Sequence, residues 1–234
     1  WLSVTATNLP VDKFVGWQNT ILFHMTRKGE TMEVRFLLVG LGNLGRRFCE
    51  ILLVKDDLLR ERYGLTLRLV GAADSRGAAY DPAGLDLAEV VRLKAAGDTI
   101  ANYPVAGNRA WDAPTLVANA DAELLLEASP VHLQQGAEPG LTCIRTALRR
   151  GMHVVTPNKG PLVVAYQELH DLAAEHGVCL RFDGTVAGGL PAINLGQRDL
   201  RGAVVERLEA VPNLVTGYVM DMLAERLSWD EALE

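Results

Sequence analysis

From Met32 onward, short runs of β-branched and aliphatic residues alternate with stretches whose apolar positions recur every three or four residues. That alternation is the signature of a parallel sheet wrapped by helices. Arg35–Val39 predicts a first strand, and Leu44, Phe48, Ile51, Leu52 and Leu59 predict the apolar face of a helix ending near Gly64. Thr66–Ala73 predicts a second strand. Asp81–Leu87 reads as a turn, and Leu87, Val90, Val91 and Leu93 as a short helix stopped by Gly97. Residues 98–115 read as irregular, broken by Asn102-Tyr103-Pro104 and Gly107-Asn108. The alternation resumes with a strand at Leu124–Glu127, a helix around Gly140–Arg150, a strand at His153–Val155, a helix over Leu162–His176 and a strand at Val178–Phe182. Then the texture changes: a Gly-rich loop, Gly184–Pro191, leads to a helix-like stretch, a strand at Val204–Leu208 and a last helix after Asn213.

Residues 1–31 show no sustained period of two or of 3.6, and Met32 stands directly before the first strong strand. They also lack the basic start, apolar centre and small-residue cleavage site of a secretory signal. The expected division is therefore an extension over 1–31 outside the fold, a ligand-binding domain over 32–183 and an incomplete second domain over 184–234. The alternative for the first segment is a short arm packing on a neighbouring subunit.

Composition narrows the classes. With 49% hydrophobic and 22% charged residues, the chain reads as packed rather than disordered. Its formal charge of −6 disfavours non-specific nucleic-acid binding. No apolar run reaches the roughly 18 residues needed to cross a bilayer. Cys49, Cys143 and Cys179 are odd in number and widely spaced, so the expectation is three reduced, buried thiols in a cytoplasmic protein. The five histidines show no ligand spacing either, which excludes a metal centre built on His and Cys.

The sharpest chemistry lies at Gly40-Leu41-Gly42-Asn43-Leu44-Gly45, a Gly-x-Gly-x-x-Gly string between a hydrophobic strand and an amphipathic helix. In that context the expected fold is a Rossmann-type, doubly wound parallel sheet. Gly40 permits the tight turn, Gly42 lets the backbone approach a pyrophosphate, and Gly45 allows close packing. Amides from about Asn43 and Leu44 then face the phosphates with the favourable end of the helix dipole. The second strand runs into Asp74-Ser75-Arg76, where an acidic side chain would accept from the adenosine ribose. Asp74 alone favours the free 2′-hydroxyl of NAD, whereas Ser75 and Arg76 suit the 2′-phosphate of NADP, and the sequence leaves both open.

Further segments resemble homoserine dehydrogenases, over nearly everything from Met32 to the last residue. His153-Val154-Val155-Thr156-Pro157-Asn158-Lys159-Gly160-Pro161-Leu162 is similar to a strand–turn–helix motif of that family, and Phe182-Asp183-Gly184-Thr185-Val186-Ala187-Gly188-Gly189-Leu190-Pro191 to its Gly-rich loop. Ala73–Gly77, Gly136–Leu141 and Leu227–Leu233 also match in order. The resemblance implies NAD(P)-dependent interconversion of aspartate 4-semialdehyde and homoserine, in amino-acid biosynthesis, usually by a homodimer. It places Ser129 and Pro130 beside the nicotinamide, and gives Lys159 the task of orienting the cofactor and stabilising a carbonyl oxygen that gains negative charge. It also implies a sodium site made by the Asp183 carboxylate and the carbonyls of Val186, Gly188 and Leu190. Oxygen-only ligation suits a hard cation.

The resemblance is uneven. Asp183 replaces a glutamate of the family pattern. The family's Asn-Gly-Thr-Thr-Asn-Tyr motif is reduced, at Asn213-Leu214-Val215-Thr216-Gly217-Tyr218, to Asn213, Thr216 and Tyr218. Its substrate-binding acidic residues and second lysine fall beyond Glu234, so little turnover is expected of these residues alone. Two other readings remain open at this point: a non-catalytic dinucleotide-binding fragment, and a related dehydrogenase for another small amino-acid-derived substrate.

Overall fold

The structure is a computed structural model that describes residues 2–8, 32–188, 190–210 and 214–233. In chain order its elements are β1 (Leu2–Asn8), β2 (Met32–Val39), α1 (Asn43–Tyr63), β3 (Leu65–Asp74), β4 (Gly77–Tyr80), α2 (Leu87–Ala95), β5 (Gly107–Asn108) and α3 (Ala113–Asn119). They continue with β6 (Leu124–Glu127), α4 (Gly140–Arg149), β7 (His153–Val155), α5 (Lys159–Glu175), β8 (Leu180–Arg181), α6 (Ala192–Asn194), β9 (Ala203–Ala210), α7 (Leu214–Ala224) and α8 (Trp229–Leu233). The described residues fall into two compact units, one within Asn19–Arg181 and one within Trp1–Gln18 together with Phe182–Glu234.

The larger unit is built on a seven-stranded sheet of order β5-β4-β3-β2-β6-β7-β8. β2 pairs in parallel with β3 on one side and β6 on the other, and β7 and β8 extend the parallel run. Chain order therefore reverses at β2, the place where doubly wound sheets open a crevice for ligands. Phe36, Leu37, Leu38 and Val39 are all buried, the continuous apolar run of a strand covered on both faces. Phe36 and Leu38 share a core with Cys49 and Leu52 of α1 and Val90 and Leu93 of α2. Leu37 instead approaches Gly71 beside Leu116 of α3, and α3, α4 and α5 pack successively on that side.

Two details differ from the sequence-based expectation. The turn and irregular stretch between Asp74 and Leu124 hold more structure than the apolar periodicity signals. After a two-residue link, Ser75-Arg76, the chain folds back as β4, which pairs antiparallel with β3 and then with β5. Further on, Asp112 caps α3 by accepting from the Thr115 amide at 2.8 Å. The other difference is the face of α1, whose buried positions are Gly45, Cys49 and Leu52. Leu44 and Ile51, expected inside, point outward because the small residues Gly45 and Cys49 take the closest approach to the sheet.

All three cysteines are buried. Burial pushes the Cys49 thiol up to about 12, and burial with the nearby Glu127 charge pushes Cys143 higher still. No helix among the described residues is long and apolar enough to cross a membrane.

In the smaller unit β1 pairs antiparallel with β9, from Leu2 opposite Ala210 to Asn8 opposite Ala203. β1 lies inside the segment expected to stand outside the fold. Its alternation of Leu2, Val4 and Ala6 with polar residues suits a strand, but only a distant partner completes it. The remainder of that segment, residues 1 and 9–31, lies outside the described residues, as does Asn213.

Candidate functional site

The ends of three strands are tied together where β2 stops. Gly40 donates its amide to the Ala73 carbonyl at 3.0 Å, and Ala128 donates to Val39 at 2.7 Å. Gly40 has φ +93°, and a Cβ there would lie 2.3 Å from the Ala128 carbonyl oxygen. A side chain at Gly45 would meet the Gly40 carbonyl at 2.0 Å. At both positions only glycine lets helix, turn and neighbouring strand close up. Gly42 is different: a Cβ built on it meets nothing within 4 Å. It caps α1 without a side-chain hydrogen bond, and α1 has no acid in its first turn. The first-turn amides thus lack intrahelical acceptors, and the positive end of the helix dipole is left for an anion.

These elements border a cavity of about 620 Å³ in the larger unit. Gly40, Gly42, Asn43 and Leu44 form its middle, Asp74 and Ser75 one flank, and Ser129, Pro130 and Asn158 the other. Three residues expected at the site do not line it. Gly45 is buried behind the turn. Arg76 is turned to the Gly97 carbonyl, to which its guanidinium donates at 2.9 Å. Lys159 is exposed at the first position of α5, directly after Asn158, whose side chain caps that helix through the Gly160 amide at 3.1 Å.

Asp74 is engaged more fully than its position predicts. One carboxylate oxygen accepts from the Arg76 amide and the Thr99 hydroxyl, each at 2.9 Å. The other accepts from Lys94 Nζ at 2.7 Å and the Ile100 amide at 2.9 Å. A carboxylate offers about four lone-pair sites, so none remains for a ribose hydroxyl. Burial works to raise its pKa, but Lys94, the Ile100 and Arg76 amides and the Thr99 hydroxyl outweigh it and hold the group below the ordinary carboxylate range. Lys94 lines the cavity while also donating to the Asp98 carbonyl at 2.7 Å. Sequence reasoning missed this lysine. Its one signal was its place near the end of the short helix that follows the second strand.

A second unanticipated carboxylate closes β6. Glu127 is fully buried, and both of its oxygens serve as acceptors. Oε1 takes the Ser129 amide at 2.9 Å and, in a short contact, the Ser129 hydroxyl. Oε2 takes the Thr156 hydroxyl at 2.9 Å. Thr156 in turn accepts from the Asn158 amide at 3.0 Å, so one side chain couples the loops after β6 and β7.

The loop proposed for sodium lies in the smaller unit. There Asp183 Oδ1 accepts from the Asn194 amide at 3.0 Å, and the Leu190 carbonyl accepts from Ala192 at 2.9 Å. Gly188 takes a left-handed conformation, φ +59°. Two of the four expected ligands are thus already hydrogen-bonded within the loop. Among the described residues no group of three or more His, Cys, Asp or Glu side chains is placed to hold a metal.

Comparison with known proteins agrees with this architecture. The chain is 35% identical over 199 residues to a homoserine dehydrogenase of Methanocaldococcus jannaschii, covering 85% of the chain and 58% of that protein. It is 30% identical over 202 residues to an NAD(+)-dependent homoserine dehydrogenase of Pseudomonas canavaninivorans, covering 86% and 57%. Among solved structures, a hyperthermophilic archaeal homoserine dehydrogenase mutant in complex with NADPH superposes with a TM-score of 0.73 at 26% identity, over 86% of this chain and 60% of that one. The chain thus spans less than two thirds of the length of these relatives. Residues 40–183 match the family model for the homoserine dehydrogenase NAD-binding domain, and the chain belongs to the homoserine dehydrogenase family.

Proposed function

We propose that the larger unit binds a nicotinamide dinucleotide, and that the protein interconverts aspartate 4-semialdehyde and homoserine. The observation that carries this reading is the cavity at the reversal of strand order, with an open glycine and uncapped amides at its centre. That cradle fits the group: no Cβ obstructs Gly42, and amides with the positive end of a helix dipole suit a pyrophosphate. When bound, the nicotinamide supplies the hydride donor or acceptor. The residues of this chain bind, orient and polarise around it.

In this reading the first-turn amides of α1 hold the pyrophosphate, and the two nucleoside halves extend toward Ser75 and Ser129. Asp74 does not accept from the ribose but anchors Lys94 at the cavity wall. Lys94 keeps a third N–H available and Ser75 lines the cavity beside it, while Arg76, on the same two-residue link, joins them by releasing the Gly97 carbonyl. This set favours a 2′-phosphate over a bare 2′-hydroxyl, and so NADP over NAD. Ser129 and Asn158 fix the nicotinamide end. Lys159, without an ion pair among the described residues, orients the carbonyl and stabilises the oxygen on which charge develops. A homodimer and a sodium ion held by the Asp183–Leu190 loop follow from the family resemblance alone. Sedimentation with and without sodium checks both.

Gly42→Val tests the core of this reading. Its side chain would occupy the open space beside the turn while leaving α1 intact. Calorimetric titration with NADPH is expected to lose binding in the variant without loss of helical signal. Unchanged affinity would overturn the assignment of the cradle.

A further inference from the structure

Glu127 poses an electrostatic problem that the cofactor reading leaves unanswered. It is fully buried, yet its partners, the Ser129 amide and hydroxyl and the Thr156 hydroxyl, are all neutral. No ion pair among the described residues involves it, whereas Asp74 at the end of β3, on the other side of β2, has Lys94. Taking a carboxylate out of water is costly unless an opposite charge or several donors compensate. Further compensation comes from the start of α4: a Cβ at Gly140 would lie 3.1 Å from Glu127 Oε1 and 2.8 Å from Asn158 Nδ2, so the positive end of that helix and a neutral amide abut the group.

The position of the uncompensated charge is informative. Glu127 pairs in register with Val39, the residue before the glycine turn. The two residues that follow it, Ala128 and Ser129, line the cavity. A dinucleotide laid across the reversal of strand order, with one nucleoside at Ser75, brings its other nucleoside to this wall. In the oxidised cofactor that end is a pyridinium cation, and in the reduced cofactor it is neutral.

We propose that Glu127 is a redox-state selectivity residue: its buried negative charge behind the Ser129 wall favours the oxidised, cationic nicotinamide over the reduced form. It acts through space and through the orientation of Ser129, and does not exchange protons or electrons with the ligand. The Ser129 hydroxyl donates to Glu127 and accepts from the Asn158 side-chain amide at 3.4 Å, so the negative potential of this wall comes from the Glu127 carboxylate behind it. The inference rests on the cofactor reading above. It adds that this end of the cavity discriminates charge.

The test uses Glu127→Gln, which preserves shape and can still meet both serine donors, with the Thr156 hydroxyl rotating to accept from the new amide. Dissociation constants for NADP+, NADPH and 2′,5′-ADP are measured by calorimetry on wild type and variant. The variant is expected to bind NADP+ about tenfold more weakly, with NADPH and 2′,5′-ADP within twofold of wild type. The bound couple then shifts by about 30 mV. Equal losses for both redox forms would mean that Glu127 only braces Ser129, and an unmoved ratio would mean that its charge is not felt; either overturns the proposal. A second measurement needs no substitution. Wild type is expected to bind NAD+ about tenfold tighter than its uncharged, isosteric pyridine C-nucleoside analogue, and parity would overturn the proposal even if the glutamine variant failed to fold. If wild type bound none of NADP+, NADPH or 2′,5′-ADP, the cofactor reading itself would fall, and this inference with it.

Discussion

Asp74 and Glu127 close two strands of the same sheet, β3 and β6; Asp74 lines one flank of the cavity, and Glu127 lies buried behind Ser129 on the other. Asp74 meets a lysine and three further donors, and its charge is matched within the protein. Glu127 meets neutral donors only. The difference teaches that a carboxylate at a strand end can serve two purposes. Matched, it shapes a wall and holds a cation in place. Unmatched, it leaves a field that a ligand must answer.

The comparison can be broken most severely at the matched end. The Asp74 and Lys94 side chains are only 9% and 12% exposed, so Asp74→Ala strands a nearly buried ammonium. Loss of one partner from such a pair costs about 3–5 kcal/mol. At roughly 2–4 °C per kcal/mol for this size, thermal melting is expected about 6–20 °C lower. A change within about 2 °C would show that the pair is not what stabilises this corner.

Arg76→Ala probes ligand rather than fold. A charge-assisted hydrogen bond to a 2′-phosphate is worth about 1.5–3 kcal/mol. The variant should therefore bind NADPH roughly 10- to 150-fold more weakly and NADH almost unchanged. Equal losses would remove Arg76 from the phosphate-reading set.

A smaller effect sharpens the contrast through pH. The Asp74 pKa is held below its ordinary value in the folded state. Its contribution to stability is therefore present above the unfolded value, about 3.9, and is lost as pH falls through the lower folded value. Urea midpoints of wild type should drop more steeply below about pH 4 than those of Asp74→Asn. Parallel curves would contradict the pairing. The smallest effect is expected at the Glu89–Arg92 surface pair, where Glu89→Gln should leave the urea midpoint almost unmoved.

What could be read from the sequence follows the range over which each feature is determined. The glycine turn was legible because Gly40, Gly42 and Gly45 answer to local backbone geometry, and the central parallel strands because burial on both faces writes an unbroken apolar run. β4 was hidden because its four residues, Gly77–Tyr80, are too few to show a period, and its pairing depends on a two-residue link. α3 carried a readable start in Asp112 and Pro114, but its seven residues are outweighed by the breakers before them. The roles of Asp74 and Glu127 were not readable. They depend on Lys94 and on Thr156, 20 and 29 residues further along, which no periodicity connects to them.

The buried thiols give this fold an internal clock. Only a thiolate is alkylated at an appreciable rate, and Cys49 and Cys143 are held as thiols by burial. Modification must therefore wait for the surrounding structure to open. When reclosing outpaces reaction, the labelling rate is proportional to the open-state population. Cys49 belongs to the layer formed by α1 and α2, and Cys143 to the layer of α3, α4 and α5. Following the two residues separately by mass spectrometry reads the opening free energy of each layer in the native protein. Ligand added during the reaction slows the label wherever binding and opening exclude one another.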